Sequence, residues 1–257
     1  MSVQAIADRA ALVPLFMGWQ ENLVQAALDG CMGQAFANNS LTAARIENGD
    51  FVFLAGDASC EEAEALVTGN EHISAPETAI YAAKEPAWYP VIERVHHGRA
   101  TRCERYAIRK DRHRFNPDTL RAYAATLPDG VLLRPMDGEL YRLAMAEHWS
   151  RDLVSQFLNE ADYAARGLGV AAVRGRELLA GASSYVVFRG GLEVEVDTRS
   201  DMRRQGLATA CGAALILRCL ERGLYPSWDA ASRASVMLAE KLGYFEDHAY
   251  PVYRVVK

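Results

Sequence analysis

No stretch of the 257 residues reaches the roughly 18 uncharged apolar residues that a membrane-crossing helix needs, and the opening Met1–Ala10 has no cationic start followed by an apolar run. Neither a membrane span nor a standard secretory leader is therefore expected. The five cysteines (Cys31, Cys60, Cys103, Cys211 and Cys219) are odd in number and show no C-x-x-C spacing. That excludes a disulfide framework and a zinc ribbon as expectations, and makes a reducing cytoplasm the expected compartment. The pair His96-His97 has no carboxylate at ligand spacing, so no metal site is expected. Gly167-Leu-Gly169 precedes a strand pattern rather than a helix and does not make a dinucleotide fingerprint. Low-complexity linkers and clear internal repeats are missing as well.

What is present is ordinary globular chemistry: 50% of residues are apolar, 9% are aromatic, and the net charge is −5. Such a chain buries a proper core, which excludes intrinsic disorder, and its length allows one large domain or two small ones. The charge is uneven. Residues 1–93 carry three basic side chains against thirteen acidic ones, whereas Arg94 to Arg121 holds nine basic against three acidic, and residues 131–257 balance at 16 and 16. With His96, His97 and His113 the Arg-rich stretch could serve as a polyanion-binding strip, but nothing around it resembles a nucleic-acid module. A solvated connector, or pairing with the acidic first segment, is the simpler expectation, and no nucleic-acid partner is expected.

The turn cluster Leu127-Pro-Asp-Gly130 is the best candidate boundary, giving an N-terminal lobe at 1–130 and a C-terminal lobe at 131–257. In the first lobe Leu15, Trp19, Leu23, Ala26 and Ala27 recur at helical spacing, Asp50–Ala55 reads as a strand and Glu61–Val67 as a helix. In the second, Val131–Arg134, Gly169–Val173, Leu178–Phe188, Gly191–Thr198, Leu224–Asp229 and Tyr250–Val256 read as strands. Leu140–Met145, Arg151–Asn159, a long segment from Leu207 to about Arg222 and Ser232–Leu242 read as helices, the last two stopped by Gly223 and Gly243. The fold class is thus α/β, a sheet with helices on its faces. Along Gly191–Thr198, apolar Leu192, Val194 and Val196 alternate with Glu193, Glu195 and Asp197, so one face is expected to be buried and the other to offer carboxylates.

Between that strand and the next helix lies Arg203-Arg-Gln-Gly-Leu-Ala208. Gly206 removes a side chain where a ligand would approach the backbone, and Ala208 keeps the next position small. Free N–H groups of the first helical turn, the helix dipole, Arg203 and Arg204 together suit an anion such as a diphosphate. A plain helix start would carry the same residues.

This segment resembles the signature Arg/Gln-x-x-Gly-x-Gly/Ala of the GNAT superfamily of N-acetyltransferases, met here by Arg203, Gly206 and Ala208, and Leu238-Ala-Glu-Lys-Leu-Gly-Tyr244 is similar to the helix end L-Y-E-K-L-G-F that comes next in such proteins. A closer resemblance is to the subfamily that includes zwittermicin-resistance-type acetyltransferases. It rests on Gly181-Ala-Ser-Ser-Tyr185, Glu193–Thr198, Arg203–Ala208, Leu224-Tyr-Pro-Ser-Trp-Asp-Ala230 and Ala239–Tyr244, with Pro14–Trp19 and Cys31–Phe36 in the first lobe. The resemblance implies a mixed, mostly antiparallel sheet flanked by helices, preceded by a second α/β lobe that is a degenerate GNAT-like unit. It implies an acetyl-CoA-dependent N-acetyltransferase acting directly on the amine of a small molecule, without a metal; the alternative is a catalytically silent CoA-binding or regulatory module.

The same resemblance implies that Val196, Asp197, Thr198, Arg203, Arg204, Gln205, Gly206, Leu207, Ala208 and Thr209, with Ser232 and Ser235, hold the acetyl-CoA. Direct attack needs a neutral amine, so Glu193 or Glu195 is the candidate general base. The tyrosine that many such enzymes use to protonate the thiolate is replaced by Ala239, which leaves Tyr244 and Tyr225 as substitutes. Trp228 and Asp229 are candidate acceptor-pocket residues; Asp229 could equally cap the following helix. Cys211 and Cys219 sit among alanines and glycine and are expected to pack rather than react.

Overall fold

Alternating apolar residues make Gly191–Thr198 a strand, which a hairpin joins to one neighbour and a helical crossover to the other. A computed structural model describes residues 3–69, 78–111 and 114–256; Arg112 and His113 of the Arg-rich stretch lie outside the described residues. The chain divides into two units, residues 1–105 with 249–257, and residues 106–248. This division differs from the expected one at residue 130, for two reasons. The helix Pro117–Ala125 buries Leu120 in one cluster with Ile108, Val131 and Leu215, so it belongs to the 106–248 unit. The end of the last strand, Glu246–Val256, pairs Tyr253–Val256 with Thr78–Tyr81 and buries Tyr253 and Val255 in the first unit's core.

In the 106–248 unit five strands run in the order Tyr225–Ser227, Gly191–Thr198, Glu177–Phe188, Gly169–Arg174, Leu132–Pro135. All neighbours are antiparallel except Gly191–Glu193, which lies parallel to Tyr225–Ser227. That parallel pair needs a crossover, and the 15-residue helix Leu207–Glu221 supplies it. Its Leu207, Cys211, Leu215, Ile216 and Cys219 pack with Leu192, Val194, Leu179 and Ala182 of the sheet. The result is a mixed α/β fold whose sheets are mostly antiparallel and flanked by helices. No helix among the described residues is long and apolar enough to cross a membrane.

The 1–105 unit repeats this order in shorter form: a hairpin Ala43–Asn48 and Phe51–Gly56, a helix Ala63–Thr68, and the strand Thr78–Ala83 lying parallel to Phe51–Leu54. Val52, Leu54, Leu66, Val67 and Tyr81 make its core with Trp88 and Ile92.

Several segments depart from their sequence-based expectation. The helical spacing across Leu15–Ala27 is broken, because Gly18 adopts φ +81° between the turns Val13–Phe16 and Asn22–Leu28. Arg151–Asn159 forms only a 3-10 turn at Arg151–Leu153, the next helix being Glu160–Arg166 with Asn159 as its cap. The run Leu224–Asp229 splits into Tyr225–Ser227 and a separate Asp229–Ala230, which pairs with Tyr106–Ala107. The Arg-rich stretch is dispersed onto local partners: Arg94 pairs with Glu64, Arg105 covers the Phe51 ring, Arg109 meets Asp247, Arg114 pairs with Asp111, and Arg121 with Asp118.

Candidate functional site

The strand Gly191–Thr198 keeps its antiparallel partner along its whole length, from Gly191 opposite Phe188 to Thr198 opposite Ala180. Its parallel partner stops early. Pairing with Tyr225–Ser227 ends at Glu193 opposite Ser227, and the chain then turns Asp229–Ala230 away to Tyr106–Ala107. A fork opens there. Among the described residues, Val194–Thr198 have no strand on that side, so alternate backbone groups face an open edge. Two side chains stand on them: Glu195 Oε1 accepts from Val196 N–H at 3.2 Å, and Arg203 Nε donates to the Thr198 carbonyl at 3.4 Å. In phase with this alternation, Arg199 N donates back to Leu179 O on the paired side, at 3.0 Å.

The open edge runs into the turn that the sequence singled out. Ser200–Met202 form one 3-10 turn, Arg204 is left-handed at φ 63°, and Gly206 is left-handed at φ 84° where the helix Leu207–Glu221 begins. A non-glycine residue in that region carries backbone strain, which tends to persist where a loop has to present its N–H groups. Ala210 N donates to Gly206 O at 3.0 Å as the helix starts, and no side chain caps that start. The N–H groups of Gly206, Leu207, Ala208 and Thr209 thus have no intrahelical acceptor. A Cβ added at Gly206 would meet nothing within 4 Å, so the turn presents open space in front of those donors. Gln205 is held by its side-chain amide to Asp201 O at 3.4 Å.

The carboxylate face is less uniform than the alternation predicts. Glu193 is buried, 5% exposed, because strands flank it on both sides, while Glu195 and Asp197 beyond the fork are half-buried. Opposite Asp197 stands Gly181, where a Cβ would come within 2.6 Å of Leu153 Cδ1. The missing side chain lets the turn Arg151–Leu153 sit directly on the sheet. It brings Asp152 beside Asp197. Burial first, and then the Asp152 charge, push the Asp197 carboxyl up to about 7, with the Arg203 guanidinium pulling the other way. Sequence reading places Asp197 by the turn but carries no signal for Asp152, which comes from a segment 45 residues earlier.

The other residues singled out by the sequence lie deeper. Tyr244 is in the core against Phe115 and Trp228, and its hydroxyl donates to Pro226 O at 2.8 Å. Burial raises its pKa well above the ordinary phenol value, with lesser contributions from Tyr225, Cys219 and Glu193. The Tyr225 hydroxyl donates to Arg109 O at 3.3 Å. Trp228 is 3% exposed and donates through Nε1 to Ser235 Oγ at 3.1 Å, which makes it a core residue rather than a pocket wall. Ser232 caps the helix Arg233–Leu242 by accepting from Ser235 N, so the cap considered for Asp229 is filled by its neighbour. Burial pushes the Cys211 and Cys219 thiols up to about 12, in keeping with packing rather than reactivity. Lys110, which no sequence pattern selects, places Nζ 2.9 Å from Ser227 Oγ and 3.5 Å from the Trp228 carbonyl, at the fork itself. Among the described residues no cluster of three or more His, Cys, Asp or Glu could hold a metal ion.

Comparison with known proteins identifies the family and the fold. The family model described as GNAT acetyltransferase matches residues 13–253. An uncharacterized N-acetyltransferase, YdfB, of Bacillus subtilis strain 168 is 25% identical over 212 residues, covering 78% of this chain and 76% of that protein. The crystal structure of a GCN5-related N-acetyltransferase-like protein from Streptococcus suis 89/1591 superposes with a TM-score of 0.89 at 36% identity, over 96% of this chain and 98% of the other. A tandem GNAT protein from the clavulanic acid biosynthesis pathway shares the fold at 10% identity, with a TM-score of 0.55 over 99% and 98% of the two chains. The chain belongs to the GNAT acetyltransferase family, and it is an acyltransferase of that type.

Proposed function

We propose that this enzyme transfers the acetyl group of acetyl-CoA directly to the amine of a small molecule, in a ternary complex within the 106–248 unit. The observation that carries the reading is the continuity of the fork, the open strand edge and the uncapped helix start. A diphosphate suits the N–H groups of Gln205 to Thr209 with Arg203 and Arg204 beside them. From there the pantetheine arm lies along Val194–Thr198. Five residues of strand span about 16 Å, comparable with the extended arm, which brings the thioester to the fork at Glu193 and Ser227. The arm's amides take over the Val196 N–H and the Thr198 carbonyl, displacing Glu195 and Arg203. The attacking amine must be neutral, and the carboxylates of Glu193 and Glu195 on the strand face are the groups that take its proton.

In this reading the 1–105 unit is a degenerate relative of the 106–248 unit. The enzyme is cytoplasmic, consistent with five free cysteines, and is kin to the zwittermicin-resistance-type acetyltransferases. The test is thiol release from acetyl-CoA across a panel of small primary amines. Turnover with at least one amine, lost in Glu193→Gln or Glu195→Gln, is expected. No turnover with any amine, together with no acetyl-CoA binding by calorimetry, overturns the reading.

A further inference from the structure

Breaking the thioester leaves a thiolate, and Ala239 is buried and has no proton to give it. The two tyrosines near the fork point their hydroxyl protons elsewhere, Tyr244 to Pro226 O and Tyr225 to Arg109 O. Another group does reach it. Ser227 is fully buried and is the last residue of its strand to pair with Gly191–Thr198, opposite Glu193, so its side chain marks the point where the two strands part. Lys110 crosses to this point from the far end of the Ala100–Ile108 strand segment and is fixed by Ser227 Oγ and the Trp228 carbonyl. An ammonium has three N–H donors, and these two acceptors aim it rather than neutralise it. The segment carrying it is itself held, with Arg109 N donating to Phe245 O at 2.9 Å and Tyr225 Oη donating to Arg109 O.

We infer that Lys110 is the catalytic acid for the departing CoA thiolate, and that Ser227 is its positioning residue. The inference rests on the proposed placement of the thioester at the fork. The attacking amine nitrogen forms the C–N bond, and the C–S bond breaks with its electron pair going to sulfur. An Nζ–H proton of Lys110 passes to that sulfur. Lys110, which is half-buried and in reach of water, regains a proton from solvent. The proton lost by the attacking amine leaves through the carboxylate base, so amine and thioester become amide and thiol with nothing else consumed. Ser227, which holds Lys110, is paired opposite Glu193, so base and acid serve one fork.

The experiment compares wild type, Lys110→Met and Ser227→Ala with two acetyl donors, acetyl-CoA and 4-nitrophenyl acetate, using the fastest amine of the panel. A phenolate made acidic by its nitro group leaves without a proton, so it does not need the acid. With acetyl-CoA, Lys110→Met should lower kcat by about 100-fold, the usual contribution of a positioned acid, and leave KM for acetyl-CoA within about twofold. Ser227→Ala should lower kcat less, again with KM unchanged. With 4-nitrophenyl acetate both variants should match wild type. A Lys110→Met enzyme that keeps wild-type kcat, or loses the same factor with both donors, overturns the inference while wild-type turnover leaves the proposed function standing. Failure of wild type to use acetyl-CoA with any amine overturns the proposed function, and this inference with it.

Discussion

The two units share an order of elements but differ at the point that matters for chemistry. In the 1–105 unit, Phe51–Gly56 lies parallel to Thr78–Ala83, and the pairing runs from Phe51 to Leu54 with Lys84 N closing onto Leu54 O. In the 106–248 unit, parallel pairing stops after three residues and leaves five on an open edge. The turns differ in the same sense. Gly56 is followed by Asp57, Glu61 and Glu62 before a helix of six residues, whereas Thr198 is followed by Arg203, Arg204 and Gly206 before a helix of fifteen. The first strand is apolar throughout, with no carboxylate, and the second carries three. A zipped strand pair with an acidic turn closes over a core; a forked pair with a basic turn leaves an open edge beside N–H groups that have no intrahelical acceptor. The comparison teaches that one order of elements can carry different local charge and a different strand edge, the two features on which the proposed site rests.

The comparison can be broken most directly at Gly206. Gly206→Glu places bulk and negative charge in front of the uncapped N–H groups, and like-charge opposition of this kind is worth several kcal/mol, so acetyl-CoA affinity by calorimetry should fall by at least about 100-fold. The fold should survive, since the space is open and the cost is confined to a left-handed backbone angle. Unchanged affinity would remove the turn from the site. Next in size is Asp197→Asn. A carboxyl held at about 7 when folded, against its ordinary 3.8, keeps its proton in the folded state while the unfolded chain loses it. Stability therefore falls as pH rises from about 4 to about 7, and the variant should be more stable than wild type at pH 8 by roughly 1–3 kcal/mol, with the difference gone at pH 4. Urea titrations at the two pH values decide this; an equal gain at both would contradict it. No such carboxylate exists on Phe51–Gly56, so hydrogen exchange should localise the effect to the 106–248 unit.

Gly181→Ala tests how the second unit brings Asp152 to Asp197. The added methyl meets Leu153 at 2.6 Å, and overpacking of this kind costs about 1–2 kcal/mol while lifting the Arg151–Leu153 turn. The Asp197 titration followed by NMR should then move down toward its ordinary range; an unmoved titration would mean that Asp152 contributes nothing. The smallest effect is expected from the first unit's turn. Asp57→Ala loses only the Ser59 hydrogen bonds, and acetyl-CoA affinity should stay within experimental error of wild type. A measurable loss would show that the acidic turn takes part in donor binding after all.

How far the sequence can be read tracks how local each determinant is. The strand Gly191–Thr198 has the bounds its alternation predicts, and Gly206, Ser232 and Gly243 mark helix ends as their capping chemistry requires. Each of those depends on neighbours within four residues. The fork is not legible, since Tyr225–Ser227 and Asp229–Ala230 follow one another with a single residue between them and only their distant partner strands separate them. Burial of Glu193 escapes the alternation for the same reason, as do Lys110 and Asp152, whose partners lie 117 and 45 residues away. The unit boundary is hidden because Tyr253–Val256 returns to strands laid down at Thr78–Tyr81.

The side chains of Glu195 and Arg203 on the open edge have a further consequence. An unguarded row of backbone donors and acceptors invites another chain to add a strand, and charged residues close to such an edge discourage that. Here the same two residues occupy the Val196 N–H and the Thr198 carbonyl, and the proposed ligand would have to displace them. On the proposed binding, docking the pantetheine arm would be an exchange in which one set of hydrogen bonds replaces another, with a small net gain. On the same proposal the grip on the donor would come from the far end, where a diphosphate would meet N–H groups with no intrahelical acceptor and no side-chain cap among the described residues. In that proposal the edge would select by shape, while the turn would hold.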